Sequence, residues 1–342
     1  MIHLSGFHVI RGVCSDMRAG WYERPGSAYE VIVIGEMPTP EPGPGEVRIR
    51  LHASGINPSD YKRRANAKGG MEFPRIVPHS DGAGIVDAVG DGVGAFRPGD
   101  RVWTMDAQFK RPYGTAAEYV VLPEAKIASL PDGVPFEVGA CLGIPAMTAH
   151  RAVFLDGSVA GQTVLVSGGA GRVAQCAIQL ARIGGARVLA TASTAEKAEV
   201  ARNAGADAVI ERAGDVAARV LEITDGAGVD RVIEVEFGGN LDTNQKILKD
   251  GGAIASYASS QVPQALLTVT PRRAANMSIH FVYCYTMPAA AKAAAARDIN
   301  RALAQHAFAP RIARIFPLDA LADAHAFSES SSGDGQVVVT IA

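Results

Sequence analysis

The sequence predicts a two-domain α/β protein, a small β-barrel followed by a doubly wound parallel sheet. Three observations carry this reading. A chain of 342 residues is too long for one hydrophobic core and comfortable for two. Residues 21–130 form short β-rich runs separated by Gly and Pro turns, with no helical period. After Phe136, apolar strands alternate with helical stretches, and a glycine-rich turn follows the first of those strands.

Composition excludes several classes. Hydrophobic residues at 48% against 20% charged exclude a disordered chain. A formal charge of −2 excludes broad attraction to nucleic acid or anionic membrane. The longest apolar runs, at 163–167 and 229–235, are interrupted by Gly or charge, so no segment reads as a transmembrane helix. Cys14, Cys141, Cys176 and Cys284 lie far apart without a Cys-x-x-Cys pair. Neither a disulfide framework nor a thiolate zinc site is indicated, and a cytoplasmic protein is the expectation.

Arg11, Asp16 and the lack of an Ala-x-Ala site argue against a secretory signal, and because the chain from Met17 reads as the domain's first strand, residues 1–16 read as an N-terminal extension. The barrel domain is expected over 17–146. Residues 31–34 read as strand, and the proline-rich 38–45 cannot be helix. At 46–54 the residues Val47, Ile49 and Leu51 alternate with Arg48, Arg50 and His52, the period of a half-buried strand. Further strands fall at 82–89 and 101–104, split by Gly-rich turns. Many short strands without helical period fit a small barrel.

Residues 137–154 carry apolar positions at helical spacing. From 147 to 284 a nucleotide-binding domain is expected, with strands at 163–167, 187–192, 208–211, 229–235, 253–257 and 278–283. A helix running from the glycine turn through 183, and others at 194–203, 215–224 and 240–248, fall between most of them, the pattern of a parallel sheet covered on both faces. Residues 285–342 hold a final Ala-rich helix at 292–306 and a strand at 336–341 that returns to the first domain.

Gly168-x-x-Gly171-x-x-Ala174 sits where a dinucleotide loop belongs, between strand and helix. Glycine permits the tight turn, and backbone N–H groups at the helix start attract a pyrophosphate. A purely structural turn is the plainer alternative. The second strand bears on cofactor choice, because a cofactor lacking the 2′-phosphate usually meets an Asp or Glu about 20 residues past the first glycine. Residues 190–194 hold no acid, whereas Ser193, Lys197 and Arg212 could form an anion pocket favouring NADP(H) over NAD(H). The alternative is that both cations are ordinary solvated charges.

Several segments together resemble a known family. They are Met17-Arg-Ala with Tyr22-Glu-Arg-Pro-Gly26, Gly55-Ile-Asn-Pro-Ser-Asp60, His79-Ser-Asp-Gly-Ala-Gly84, Gly99-Asp-Arg-Val102, Gly143-Ile-Pro-Ala-Met-Thr-Ala149 and the glycine loop. From Met17 onward the chain resembles the zinc-free quinone oxidoreductases, the zeta-crystallin branch of the medium-chain dehydrogenase/reductase superfamily. The resemblance implies a GroES-like barrel beside a Rossmann domain, with nicotinamide in the cleft between them. Zinc-dependent relatives carry Cys where this chain has Asn57, and Gly-His-Glu where it has His79-Ser80-Asp81. A catalytic zinc needs three good protein ligands, and none is assembled at these positions.

By the same resemblance, Asn57 and Tyr61 face nicotinamide and substrate, and Thr148 supports the nicotinamide end. Ala170, Gly171, Arg172 and Val173 lie against the pyrophosphate. Phe237, Tyr257 and Ala258 flank adenosine and ribose, while Phe281, Val282 and Tyr283 hold the carboxamide. Arg172 replaces a glycine common in relatives, and Arg212 stands where Tyr is frequent. The implied activity is NADPH-dependent reduction of a quinone or similar electron-poor acceptor, with solvent or Tyr61 as proton source. Two alternatives stay open: reduction of an activated C=C bond in an alkenal or enone, and NADPH binding with little turnover. Residues 278–283 read as a proline-free edge strand with no formal charge apart from that which His280 can carry, and such an edge needs a cover. The resemblance implies that a second subunit provides it, making a homodimer.

Overall fold

The computed structural model describes residues 16–66, 69–330 and 334–341. The N-terminal extension and Cys14 lie outside these residues, except Asp16, which begins the strand Asp16–Trp21. That strand pairs antiparallel with Val33–Pro38. The strand expected at 31–34 starts late because a short helix, Ala28–Val31, precedes it. Ser27 and Glu30 form a capping box there, and the Glu30 carboxylate accepts both the N–H and the hydroxyl of Ser27.

The barrel is organised around the 11-residue strand Glu46–Ile56. It is long enough to pair antiparallel with three strands: Asp81–Val89, Tyr119–Pro123 and Gln336–Thr340. The alternation read from the sequence is real. Val47, Ile49, Leu51 and Ala53 are fully buried, while Arg48 turns outward to Glu41 and Asp87. Ile312–Pro317 pairs with Gln336–Thr340 and extends the same sheet. The C-terminal strand thus meets the end of Glu46–Ile56 that leads into Asn57.

The second sheet is parallel and six-stranded, in the order Ala208–Glu211, Arg187–Ala192, Thr163–Val166, Val229–Glu234, Leu248–Ser256, Ser278–Phe281. Strand order reverses between Thr163–Val166 and Val229–Glu234, so their carboxyl ends open onto a crevice where ligands bind in sheets of this kind. Val164, Val166 and Val232 are fully buried, as expected for strands covered on both faces.

The single helix expected over 137–154 is broken. Phe136–Gly139 is one turn, Leu142–Ala146 is a wide π-type turn, and Met147–Phe154 completes the run. Pro145 lies inside the wide turn; it lacks an N–H and its ring crowds the preceding turn, which disfavours regular α-helix. The break brings the Ile144 N–H to the Asp81 carboxylate at 3.0 Å.

Candidate functional site

Asn57 caps the helix Pro58–Ala65, with Pro58 at its first position. Its backbone N–H donates to Asp60 Oδ2 at 2.7 Å, and its side-chain amide donates to Asp81 Oδ2 at 2.8 Å. Asp81 is fully buried, and desolvation holds its carboxyl well above the usual range despite the N–H groups of Ile144 and Asn57. Asp60 is likewise pushed up to about 7 by burial. Asn57 is therefore gripped at backbone and side chain by two buried carboxyls.

A cavity of about 560 Å³ opens beside it. One wall is Asn57, Ser59 and Lys62 from the barrel half; the other includes Thr148, Val173, Tyr257 and Val282 from the nucleotide half. Phe109 stacks on Tyr285 with centroids 4.7 Å apart, and Tyr283 lies 5.0 Å from Tyr285. Tyr285 hydroxyl and Ser59 Oγ are 3.0 Å apart. Lys292 Nζ donates to the Tyr285 carbonyl and pairs with Asp106. Burial raises the Cys284 thiol to about 12, so it lines the wall as a neutral group.

A smaller cavity of about 150 Å³ is lined by Gly168, Ala170, Gly171, Ser193, Lys197 and Arg212, with Thr191 and Ala192 completing it. The Gly168 N–H is held by Thr191 Oγ1 at 2.9 Å. Gly168 has φ +64°, the left-handed conformation that glycine adopts without strain. Arg212 borders both cavities, so a ligand bound in one can run into the other past its side chain.

Family models match both halves: the alcohol dehydrogenase GroES-like domain over residues 43–132 and the zinc-binding dehydrogenase model over 173–297. Human quinone oxidoreductase is 30% identical over 301 residues, covering 86% of this chain and 89% of that protein. The chain belongs to the quinone oxidoreductase family of the medium-chain dehydrogenase/reductase superfamily. A mycobacterial quinone oxidoreductase structure superposes with TM-score 0.86 at 30% identity, covering 95% of this chain and all of that one. A mycobacterial structure complexed with NADPH gives TM-score 0.81, with the same identity and coverage.

The dehydrogenase family matched over 173–297 is zinc-binding by name, but this chain carries poor zinc ligands at the corresponding positions. Asn57 offers an amide already given to Asp81, and Ser80 a buried hydroxyl. Among the described residues no cluster of three His, Cys, Asp or Glu could hold a metal ion. These residues do not fit a zinc site. His79, with φ +77°, is turned away into the barrel. Its Nδ1 meets Ser54 Oγ at 2.8 Å and its Nε2 meets His325 Nε2 at 2.9 Å. Burial lowers His79 to about 3, so the pair is neutral and one ring donates to the other.

Most of the expected cofactor residues line one cavity or the other, whereas Tyr61, Arg172, Phe237 and Phe281 line neither. Tyr61 does not line the cavity but packs against the barrel core. Ser59 and Lys62 share the cavity face of their helix, and Tyr61 lies about 200° round from Ser59. Arg172 does not point at the glycine loop; its side chain is buried against the barrel half. Phe237 packs under the sheet and meets Phe281 edge to face at 5.3 Å. Phe281 is 73% exposed, and neither ring borders the cavity, which Val282 and Tyr283 line just past the strand. Sequence reasoning missed Ser59, Lys62, Phe109 and Tyr285. The alternating Tyr283-Cys284-Tyr285 at a strand end was the available signal.

Proposed function

We propose that this chain reduces quinones, or similar flat electron-poor acceptors, with NADPH and without zinc. The observation that carries the reading is the pairing of cavities. A cation pocket of Ser193, Lys197 and Arg212 continues past Arg212 into an apolar, aromatic cavity bordered by Asn57 and Thr148. A dinucleotide with a 2′-phosphate suits this run, and NADPH bound by a relative of the same fold supports it. Bound NADPH supplies the hydride.

The chain's residues position and shield. Lys197 and Arg212 offer charge-assisted hydrogen bonds to the 2′-phosphate, and the N–H groups at Gly171–Val173 face the pyrophosphate. Tyr257, Val282 and Thr148 wall the nicotinamide end. Asn57, immobilised by Asp60 and Asp81, offers a fixed amide to the acceptor, and the Phe109–Tyr285 stack gives a flat surface for a ring. Hydride addition leaves a hydroquinone monoanion, a mild base that takes its proton from solvent or from the Ser59–Tyr285 hydroxyl pair. That pair also suits an enone, whose enolate must be protonated, so alkenal or enone reduction is the second reading.

Steady-state oxidation of NADPH against quinones, enones and enoyl thioesters tests this, before and after exhaustive chelation. Quinone turnover surviving chelation is expected. Turnover with enones alone would favour the second reading, and NADPH binding without consumption would end both.

We also propose a homodimer through residues 278–283. Among the described residues Ser278–Phe281 pairs only with Leu248–Ser256 and forms the edge of the sheet. Exposed Leu266, Val269, Phe281 and Tyr283 lie on this strand or in the segments leading to and from it. The Val282 N–H bonds inward to Ser256, so by alternation that of Phe281 faces outward. Phe281→Pro would remove this donor. Light scattering should show a dimer for the unmodified protein and a raised monomer fraction for the variant; a monomer in both would refute the assembly.

A further inference from the structure

We infer that Arg172 is a positioning residue that couples anion binding at the glycine loop to the placement of Asn57 in the other half of the molecule. Arg172 is the first residue of the helix Arg172–Ile183, whose N-terminus faces the pyrophosphate in the function proposed above. Its side chain leaves that loop and enters the barrel half. Nε donates to the Gly335 carbonyl at 2.9 Å, Nη1 to the Ile56 carbonyl at 3.0 Å, and Nη2 to Ser328 Oγ at 2.9 Å. These acceptors come from three segments: the residue before Asn57, the helix Leu321–Ser330, and the approach to the last strand. One guanidinium therefore ties the start of the nucleotide helix to the backbone that carries Asn57.

All three acceptors are uncharged, and among the described residues Arg172 makes no ion pair. A buried cation without a counter-ion is costly. Asp60 and Tyr61 act on it only at longer range. An anion bound at the glycine loop would add opposite charge on the turn from which this side chain springs. Binding that anion then favours the clasped arrangement, and the clasp favours the anion, as reciprocal linkage requires. The inference rests on a pyrophosphate occupying the glycine loop and needs no particular acceptor.

Hydrogen–deuterium exchange with 2′-phospho-ADP-ribose tests it, because this ligand has the pyrophosphate but no nicotinamide to touch Asn57 directly. In the unmodified protein it should slow exchange at the glycine loop, and by about fivefold at 54–62 in the other half, the lower end of coupling between sites. Arg172→Gln should keep the loop effect and lose the distant one. Ser328→Ala, which removes one of three acceptors, should give an intermediate distant effect and serves if the first variant does not fold. With NADPH and a quinone, Arg172→Gln should lower kcat about tenfold, from lost orientation, and raise KM for NADPH by no more than about the same fivefold coupling factor. The primary isotope effect from NADPH deuterated at the transferred position should rise, which mere loss of stability would not cause. Absence of distant protection in the unmodified protein, its retention in Arg172→Gln, or loss of the loop effect as well would overturn the inference. The last outcome would mean direct phosphate contact. Failure of quinone turnover in the unmodified protein bears only on the proposed acceptor.

Discussion

The two cavities hold their charges in opposite ways. At the nucleotide end, Lys197 and Arg212 stand in or beside solvent, and three short stretches of one βαβ unit and its next strand build the whole pocket. At the acceptor end, Asp60, Asp81 and Asp106 are buried, and they come from the first third of the chain to meet partners at Ile144 and Lys292. Exposed cations cost little while they wait for an anion. Buried carboxyls are costly unless every lone pair is used, and among the described residues Asp60 Oδ1 and Asp81 Oδ1 meet no hydrogen-bond partner. In the function proposed, the smaller cavity is thus built to bind the nucleotide, and the larger to hold Asn57 still at some expense in stability.

The largest expected effect tests that expense. The Asp60 carboxyl sits at about 7 folded against 3.8 for the free group. An acid with a raised folded pKa binds more protons folded than unfolded, so stability falls as pH climbs between the two values and levels off above the higher. Three pKa units correspond to a ceiling of about 4 kcal/mol. Asp60→Asn keeps an acceptor for the Asn57 N–H and removes this penalty. Urea unfolding at pH 5 and pH 8 should show the variant losing markedly less stability between them. Some slope should persist, because burial also raises Asp81 and Asp106. An unaltered slope would show that the Asp60 carboxyl is solvated.

The opposite end is probed by Lys197→Ala combined with Arg212→Ala. Two charge-assisted hydrogen bonds at roughly 1.5 kcal/mol or more each give on the order of 100-fold in affinity. The NADPH dissociation constant should rise by that factor while that of NADH stays nearly constant. Equal weakening of both cofactors would mean that the pair does not read the 2′-phosphate.

The same contrast decides what was legible in the sequence. The nucleotide half is built from consecutive strand–helix units, so all six strands and the anion pocket follow from local pattern. The barrel's long strand was equally plain, because Val47, Ile49 and Leu51 alternate. The helix Pro58–Ala65 carried its own signal, an Asn cap with Pro58 and Asp60 behind it, but reading Tyr61 towards the acceptor required the helix's rotation. That rotation is set by packing against the C-terminal helix Leu321–Ser330, far away in sequence. The grip of Asp81 on both Asn57 and Ile144 depends on a break at Pro145 that apolar spacing concealed. Arg172 was visible only as a departure from glycine, since its acceptors at Ile56, Ser328 and Gly335 lie more than 100 positions away.

The smallest effect concerns Tyr285, where the acceptor cavity combines a flat ring with a polar tip. The ring stacks on Phe109 and the hydroxyl meets Ser59. Tyr285→Phe deletes only the hydroxyl, which should cost about 1 kcal/mol of stability, the net value of one hydrogen bond. KM for a flat quinone should stay within threefold, because the stacking surface is intact. Tyr285→Ala removes the surface as well, and the loss of an aromatic contact worth about 0.5–1.5 kcal/mol should raise that KM by up to about tenfold. For an enone both variants should lower kcat, since both lack the hydroxyl that meets Ser59. If the hydroxyl pair delivers the proton, Tyr285→Phe slows enone reduction and enlarges its solvent isotope effect, while quinone reduction, whose oxyanion needs no strong acid, is spared. Equal slowing of both acceptors by Tyr285→Phe would mean that the hydroxyl shapes the cavity and donates nothing.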